Sequence, residues 1–419
     1  MTQAIELKRS SLVADIVESL NVMHKEVYPN GVPDLVPAIA KIQNEIKFDK
    51  QDLLGLQYVQ PVRLALPGGF TSAKGDGTAG AFALNDAKAG TQGRAQVSAS
   101  QILLKDQLSY EDAGKASGGK ASFAQGTKFF YEGMQKAMRK RIESMLLYGN
   151  VGIGVVSAYA SGTPSITISL AEWAPMLWTG SEGTEIDIMS GTSATVRGTV
   201  TIVSVDPDTR IVTLSGTVTG AAAGDVVYFK GGYGTEMAGI HNIMTNTGSL
   251  FNINAATYQL WKSASLTVSG ALSFNAVKKA VTKAVSKGLM EDIKLYVNHG
   301  AWDDVASDIS SLRSLDKSEV KKVDVGAEEI VYHSQNGKIE IIAHPMVKQG
   351  YAYGLVAQNW KRIGSVDVSF GAPGFGGEPW FHLPTKAGVE ARMYTNQAIF
   401  SEMPGTSFVI SGIVNTVAP

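Results

Sequence analysis

Three stretches of this 419-residue chain combine residue types and spacings that could do chemistry. Residues 114–121, "GKASGGKA", place two glycines and Lys120 at the spacing of a phosphate-cradling loop. In such a loop backbone amides hold the phosphates and the lysine reaches their far end. Mg²⁺ coordination then needs a hydroxyl at the next position, which is Ala121. The preceding "QLSYEDA" does not read as a buried strand, so this stretch is expected to be a hinge into a helix. Residues 232–239, "GYGTEMAG", follow a strand in a loosely dinucleotide-like rhythm. They open no convincing helix, so a turn is expected rather than a cofactor site. Asp303 and Asp304 stand side by side where a helix is expected to start. Carboxylates there complement the helix dipole, and spacing in sequence establishes no glycosidase pair.

The six histidines, His24, His241, His299, His333, His344 and His382, are scattered, and none forms an i, i+4 pair with an intervening glutamate. No G-x-S-x-G elbow occurs. The chain has no cysteine, which removes disulfides, thiolate nucleophiles and thiolate metal sites together. No catalytic, cofactor-binding or metal-binding residue is assigned, no cofactor is expected, and the chain does not read as an enzyme. A net charge of −1 argues against a protein whose main task is gripping nucleic acid. No run of about 18 apolar residues is present, so no membrane contact is expected. The start "MTQAIELKRSS" lacks the apolar region of a signal peptide, and synthesis and folding in a cytoplasm are expected.

Which elements carry these residues follows from periodicity. Residues 122–148 form a long helix whose stripe is Phe130, Met134, Met138, Ile142 and Met145/Leu146. Its other face carries Lys128, Lys136, Arg139, Lys140 and Arg141. A long Gly/Ala-rich excursion precedes it; connections inside compact domains are usually shorter. Val62, Leu64 and Leu66 alternate as a strand, Pro61 confines that strand to an edge, and "RAQVSASQILLKDQLSYE" returns. The result is a long hairpin with a small-residue tip at 68–93, marginal in isolation and expected to lie on another chain. Residues 10–23 and 34–46 read as helices of an arm too thin for its own core. Residues 185–232 are short alternating strands separated by turns, a small β domain. Beyond it come a helix ending at Gly288, a buried strand "DIKLYVNHG", a helix "AWDDVASDISSLRSL", and two strands flanking Asn336-Gly337, a preferred type I′ hairpin turn.

This order of parts, with "KFFYEGMQKAMRKRIESMLLYGN", "GDVVYFKGGYGTEMAGIHNIMTNTGSLFNINAATYQLW" and "LYVNHGAWDDVASDISSLRSL", resembles the major capsid proteins of tailed bacteriophages, the Hong Kong 97-like fold. The resemblance covers nearly the whole chain and rests on segment order, since no short motif defines the family. It implies an α+β fold with an inserted small all-β domain. The parts would be an N-terminal arm at 1–55, an E-loop hairpin at 56–119 and a P-domain spine helix with first strands at 120–165. The inserted β domain would fill 185–232, mainly A-domain 239–363, and strands returning to the P-domain 364–419.

The implied function is that of a self-assembling structural protein, forming hexamers and pentamers in an icosahedral shell around double-stranded DNA that it contacts non-specifically at most. The implied location is the virion, after assembly in the bacterial host's cytoplasm. The alternative is an encapsulin-like nanocompartment shell holding a protein cargo. Only about fifty residues precede the E-loop, which leaves little room for a built-in scaffolding segment. A separate scaffolding protein, a portal and a possible decoration protein are therefore the expected partners. Some family members crosslink a lysine of this loop to a neighbour's asparagine. Lys74, Lys88 and Lys105 lie on the loop, but nothing places an asparagine and a carboxylate beside them, so no crosslink is assigned.

Overall fold

A computed structural model describes residues 40–50, 57–78, 80–111, 120–193, 195–313, 330–334, 337–370 and 380–417, with all side chains there except those of 120–129, 309–313 and 332–334. The helices expected at 10–23 and before Ala40, the 114–119 stretch and Asn336 of the expected hairpin turn lie outside the described residues. The chain divides into two compact units, one holding residues 101–142 and 366–396, the other residues 41–100, 143–365 and 397–419.

The first unit is built on the long helix, which runs Lys120–Tyr148 and supplies residues up to Ile142 here. Met134, Met138 and Ile142 recur every four residues, so they fall on one face, and all three are buried. One turn earlier Phe130 stacks on Trp380 at 5.6 Å and Tyr131 meets Phe370 edge-on at 4.9 Å. Trp380 belongs to a short strand, Trp380–His382, paired antiparallel to Gly388–Ser401. Strand Ser100–Ser109 pairs with Gly388–Ser401 too. This departs from the hairpin reading: the return strand breaks after Val97, and its second half joins this sheet instead of continuing the arm.

The second unit holds a six-stranded mixed sheet in the order Ala264–Gly270, Phe408–Ile413, Tyr351–Leu355, Ile293–Val297, Gly337–Ala343, Ile330–Ser334. Helix Phe274–Val285 turns Val277, Ala280, Val281 and Ala284 into the same core as Leu295, Ile341 and Ile410. Ser273 caps it by accepting from the Ala276 amide at 3.2 Å, and Gly288, at φ +100°, takes the left-handed turn that releases the chain. The last two strands pair with Ser334 opposite Gly337, so Gln335-Asn336 rather than Asn336-Gly337 separates them.

A closed barrel runs in the order Val226–Phe229, Gly154–Tyr159, Ser165–Ile168, Ile211–Leu214, Val196–Asp206, Glu185–Met189. Sequence reading placed its strands at 185–232 only. Closure recruits Gly154–Tyr159 and Ser165–Ile168 as well, because four strands alone leave two unpaired edges. Ile166, Ile188, Ile202, Val212 and Val227 fill it and are buried.

The arm is a two-stranded ribbon, Tyr58–Arg63 antiparallel to Gln92–Val97, with Pro61 opposite Arg94. Irregular but bonded backbone continues it: Leu64 N–H donates to Thr91 O at 2.9 Å and Gly68 N–H to Lys88 O at 3.1 Å.

Candidate functional site

The last two turns of the long helix, from Ile142 to Tyr148, are buried on every side. A charged group there must be met by protein donors. Glu143 is fully buried, and its carboxylate accepts from the backbone amides of Ile42 at 2.7 Å and Gln43 at 3.0 Å. Those amides open the short helix Lys41–Glu45, where helix geometry leaves them unpaired. The third donor is His344 Nε2 at 2.9 Å. His344 Nδ1 accepts the Met346 amide at 3.1 Å, which puts the ring proton on Nε2. Arg362 completes the joint, donating to Gln43 O at 3.1 Å and twice to Gln397 Oε1, at 2.8 and 3.0 Å. So the segment at 40–50 is clamped by one buried carboxylate and one buried guanidinium.

A second polar cluster sits at the end of the same helix. Lys348 is buried; its ammonium donates to Glu172 at 2.6 Å and to Gly152 O at 3.1 Å, and lies 4.4 Å from the centre of the Tyr148 ring. Burial pulls the Lys348 amine below its usual range, against the pull of Glu172. Burial alone would raise the Glu172 carboxyl, but the Lys348 charge and hydrogen bond outweigh it and hold the group low. Tyr351 donates to the other Glu172 oxygen at 3.0 Å. His241 Nδ1 lies 2.8 Å from Tyr353 Oη. Its pKa drops to about 4 through burial first and the Lys348 charge second, so the ring is neutral near pH 7. Burial raises the hydroxyls of Tyr148, Tyr351 and Tyr353. A lysine with a lowered pKa can act as a base or nucleophile when a donor is open. Here its hydrogen bonds and the ring under it go to protein groups, so the arrangement braces four chain segments.

The candidate stretches separate in the fold. Lys120 and Ala121 open the long helix. Residues 232–239 turn through Gly234 at φ +70° and, contrary to expectation, lead into a helix, Ile240–Thr245. It is too short to have shown in periodicity. Gly239 packs so closely on the long helix that a Cβ there would lie 2.5 Å from Gly149 N. Asp303 and Asp304 fall in the second turn, because the helix starts at His299 rather than Ala301. Asp304 accepts from the Thr416 amide at 3.1 Å instead of serving the dipole. His241 and His344 join the two clusters above, and His382 meets Tyr110 Oη at 2.8 Å. His24 and the His333 side chain lie outside the described residues. Among the described residues no three of His, Cys, Asp and Glu are grouped to hold a metal ion, and no helix is long and apolar enough to cross a membrane. The roles of Glu143, Glu172 and Lys348 were not read from the sequence. The one signal was the uncharged run from Ser144 to Tyr148, which marks a helix end with no solvent face.

Exposed chemistry concentrates on the arm, where Leu66, Phe70, Phe82 and Leu84 stand in solvent beyond the ribbon. Lys74 and Lys88 lie on the same excursion and Lys105 beyond its return, all exposed.

No family model and no curated protein matches the sequence. The fold does match solved structures. A chain of the cyanophage A-1(L) capsid aligns over 92% of this chain and 95% of its own, with 11% identity and a TM-score of 0.53. Two weaker alignments are a Mycobacterium phage Bobi chain, 12% identical over 96% and 100% with a TM-score of 0.45, and the SrpI encapsulin complex of Synechococcus elongatus PCC 7942, 7% identical over 93% and 94% with a TM-score of 0.43. The chain therefore shares its fold with the cyanophage capsid subunit.

Proposed function

We propose that this chain is a major capsid protein of the tailed-bacteriophage type, with a structural rather than a catalytic task. The single observation that carries the reading is the fold match to the cyanophage A-1(L) capsid, which spans 92% of this chain and 95% of that one. The buried clusters fit it, because polar groups are spent on joints between segments. The arm fits it too, because a ribbon with open edges and solvent-exposed Phe70 and Leu84 gains stability only against another surface.

In this reading the chain has the Hong Kong 97-like layout. Residues 1–55 are the N-terminal arm, 56–119 the E-loop, the helix and strands at 120–165 the P-domain core, 239–363 mainly the A-domain and 364–419 the strands returning to the P-domain. The strands at 185–232 are the inserted domain, closed into a barrel by Gly154–Tyr159 and Ser165–Ile168 from the region before it. Subunits associate as hexamers and pentamers into an icosahedral shell around double-stranded DNA. Many modest contacts make such a shell cooperative. A scaffolding protein, a portal and a decoration protein are the partners, and assembly takes place in the bacterial host's cytoplasm.

Electron microscopy of the purified chain, alone and with a scaffolding protein, tests this. Closed particles of uniform diameter are the expected result. A chain that stays monomeric under both conditions overturns the reading, and closed particles that enclose a protein cargo instead of DNA move it to an encapsulin-like shell.

A further inference from the structure

The root of the arm is held by a turn built from an ill-suited residue. Strands Ser249–Leu250 and Ile253–Asn254 pair antiparallel with Leu250 opposite Ile253, so the loop between them is only Phe251-Asn252. Both loop residues are left-handed, Phe251 at φ +54° and Asn252 at φ +63°. Positive φ at both positions marks a type I′ turn, for which Asn-Gly is preferred. Asparagine tolerates that conformation. A bulky side chain does not, and such strain persists only where surrounding contacts over-determine it.

Two contacts hold Phe251, and both lead to the arm. Its carbonyl accepts from the Gln96 amide at 3.0 Å, which ties the turn to strand Gln92–Val97. Its ring meets the buried Phe400 ring edge-on at 5.5 Å. Tyr58, on the other arm strand, meets Phe400 edge-on as well, at 6.1 Å. Each strand of the ribbon therefore has its own tie. Ties on both strands fix a direction, whereas one alone would leave the ribbon free to rock. The turn is anchored from behind: Trp261 Nε1 donates to Leu250 O at 3.3 Å, Ala255 N–H donates to Gly248 O at 2.9 Å, and Ile253 is buried. All of these residues belong to the second compact unit.

Beside these ties the arm stands clear of the body. Val62 and Leu64 line a groove of about 500 Å³ together with Leu260, Trp261 and Met403. Leu260 is 61% exposed and Met403 55%, so the groove is apolar and open to solvent. The ribbon has room to lean there once its ties let go.

We propose that the Phe251-Asn252 turn is a latch that aims the arm, with Phe251 as a positioning residue. Its ring and carbonyl hold the root in one direction, and its backbone strain favours release. When Phe251 relaxes to negative φ, the carbonyl turns from Gln96 and the ring from Phe400, and the ribbon leans toward Leu260 and Met403. A glycine at 251 would make the same turn without strain, but it has no ring to set against Phe400. The latch is a property of the single chain; its use in placing the arm during assembly rests on the reading above.

The chain has no cysteine, so spin labels attach only where cysteines are introduced. Gln92→Cys at the far end of the ribbon and Lys279→Cys on helix Phe274–Val285 are both exposed positions. Pulsed dipolar spectroscopy on the full-length monomer, below the concentration at which it assembles, reads the spread of arm-to-body distances. The parent should give one narrow distribution. Phe251→Gly keeps the turn and loses the ring, and should broaden the distribution several-fold. Gln96→Pro removes the amide tie instead and should broaden it too. Phe251→Tyr keeps the ring, and Asn252→Gly eases the turn with the ring in place, so both should stay narrow with parent-like melting temperatures. A narrow distribution in Phe251→Gly overturns the latch, as does an Asn252→Gly distribution as broad as that of Phe251→Gly. Assembly is scored separately, and Phe251→Gly should raise the concentration needed for particles several-fold. Parent-like assembly beside broadened distances overturns the latch's use in assembly. If the parent forms no particles with or without a scaffolding protein, the assembly reading falls and the distances alone decide the latch.

Discussion

Strand Ile211–Leu214 of the barrel and strand Tyr58–Arg63 of the arm both alternate, but the alternation leads to different ends. In the barrel Val212 and Leu214 are buried by strands that close on themselves. In the arm no residue of Tyr58–Arg63 is fully buried. Its partner strand buries only Ala95 and Val97, the positions nearest the body of the unit. The difference is closure. Six strands in a ring leave no unpaired edge and enclose a core, whereas two strands leave both edges and one face unmet. The barrel therefore encloses its own core, and the arm holds apolar surface that no described residue covers.

The largest effect that would break this comparison comes from removing the tip. Replacing residues 71–91 by a short Gly/Ser link should abolish particle formation and leave the monomer's thermal unfolding in place. Normal particles from that variant would show that the arm is not an assembly element.

Next come paired truncations. Ile188 is fully buried in the barrel, so Ile188→Ala should cost about 2–5 kcal/mol by denaturant unfolding. Leu84, 79% exposed on the arm, should change stability by less than about 0.5 kcal/mol when cut to Ala, while assembly weakens. Equal stability losses at the two sites would erase the distinction.

The joint at the end of the long helix sharpens the comparison, since it behaves as barrel rather than arm. His241 is held neutral, with its pKa lowered from 6.5 to about 4. The unfolded chain binds that proton more readily than the folded one, so stability is full above about pH 6.5 and falls as pH drops toward about 4. The loss approaches about 3 kcal/mol at the low end. Melting temperatures measured from pH 7 to pH 4.5 should fall less steeply in His241→Gln than in the parent. An identical slope would mean that His241 is not buried in the protein in solution.

The smallest effect belongs to the barrel's surface. The Lys230–Glu185 pair at 2.7 Å is 55% and 35% exposed, and Lys230→Gln should shift stability by less than about 0.5 kcal/mol. A larger loss would mean the barrel relies on its surface as well as its core.

Much of this was set by the chain's own periodicity and caps. The stripe Met134, Met138, Ile142 and Leu146 specifies one buried helix face, and Ser273 and Gly288 mark where a helix begins and where it has ended. The alternation of Val200, Ile202, Val212 and Leu214 specifies strands, and the open Gly/Ala excursion announces an arm without a core. These are local signals, carried by residues within a turn or two of one another.

Tertiary structure decided what depends on distant partners. Only pairing across the chain tells that Gly154–Tyr159 and Ser165–Ile168 close the barrel, or that Ser100–Ser109 leaves the arm for another sheet. Glu143 reads in sequence as one more polar helix residue, yet its partners lie at Ile42, Gln43 and His344. A hydrogen bond across one hundred or two hundred residues leaves no periodic trace. The groove at Val62, Leu260 and Met403 has the same origin: three separate segments become one surface only when the fold sets them side by side.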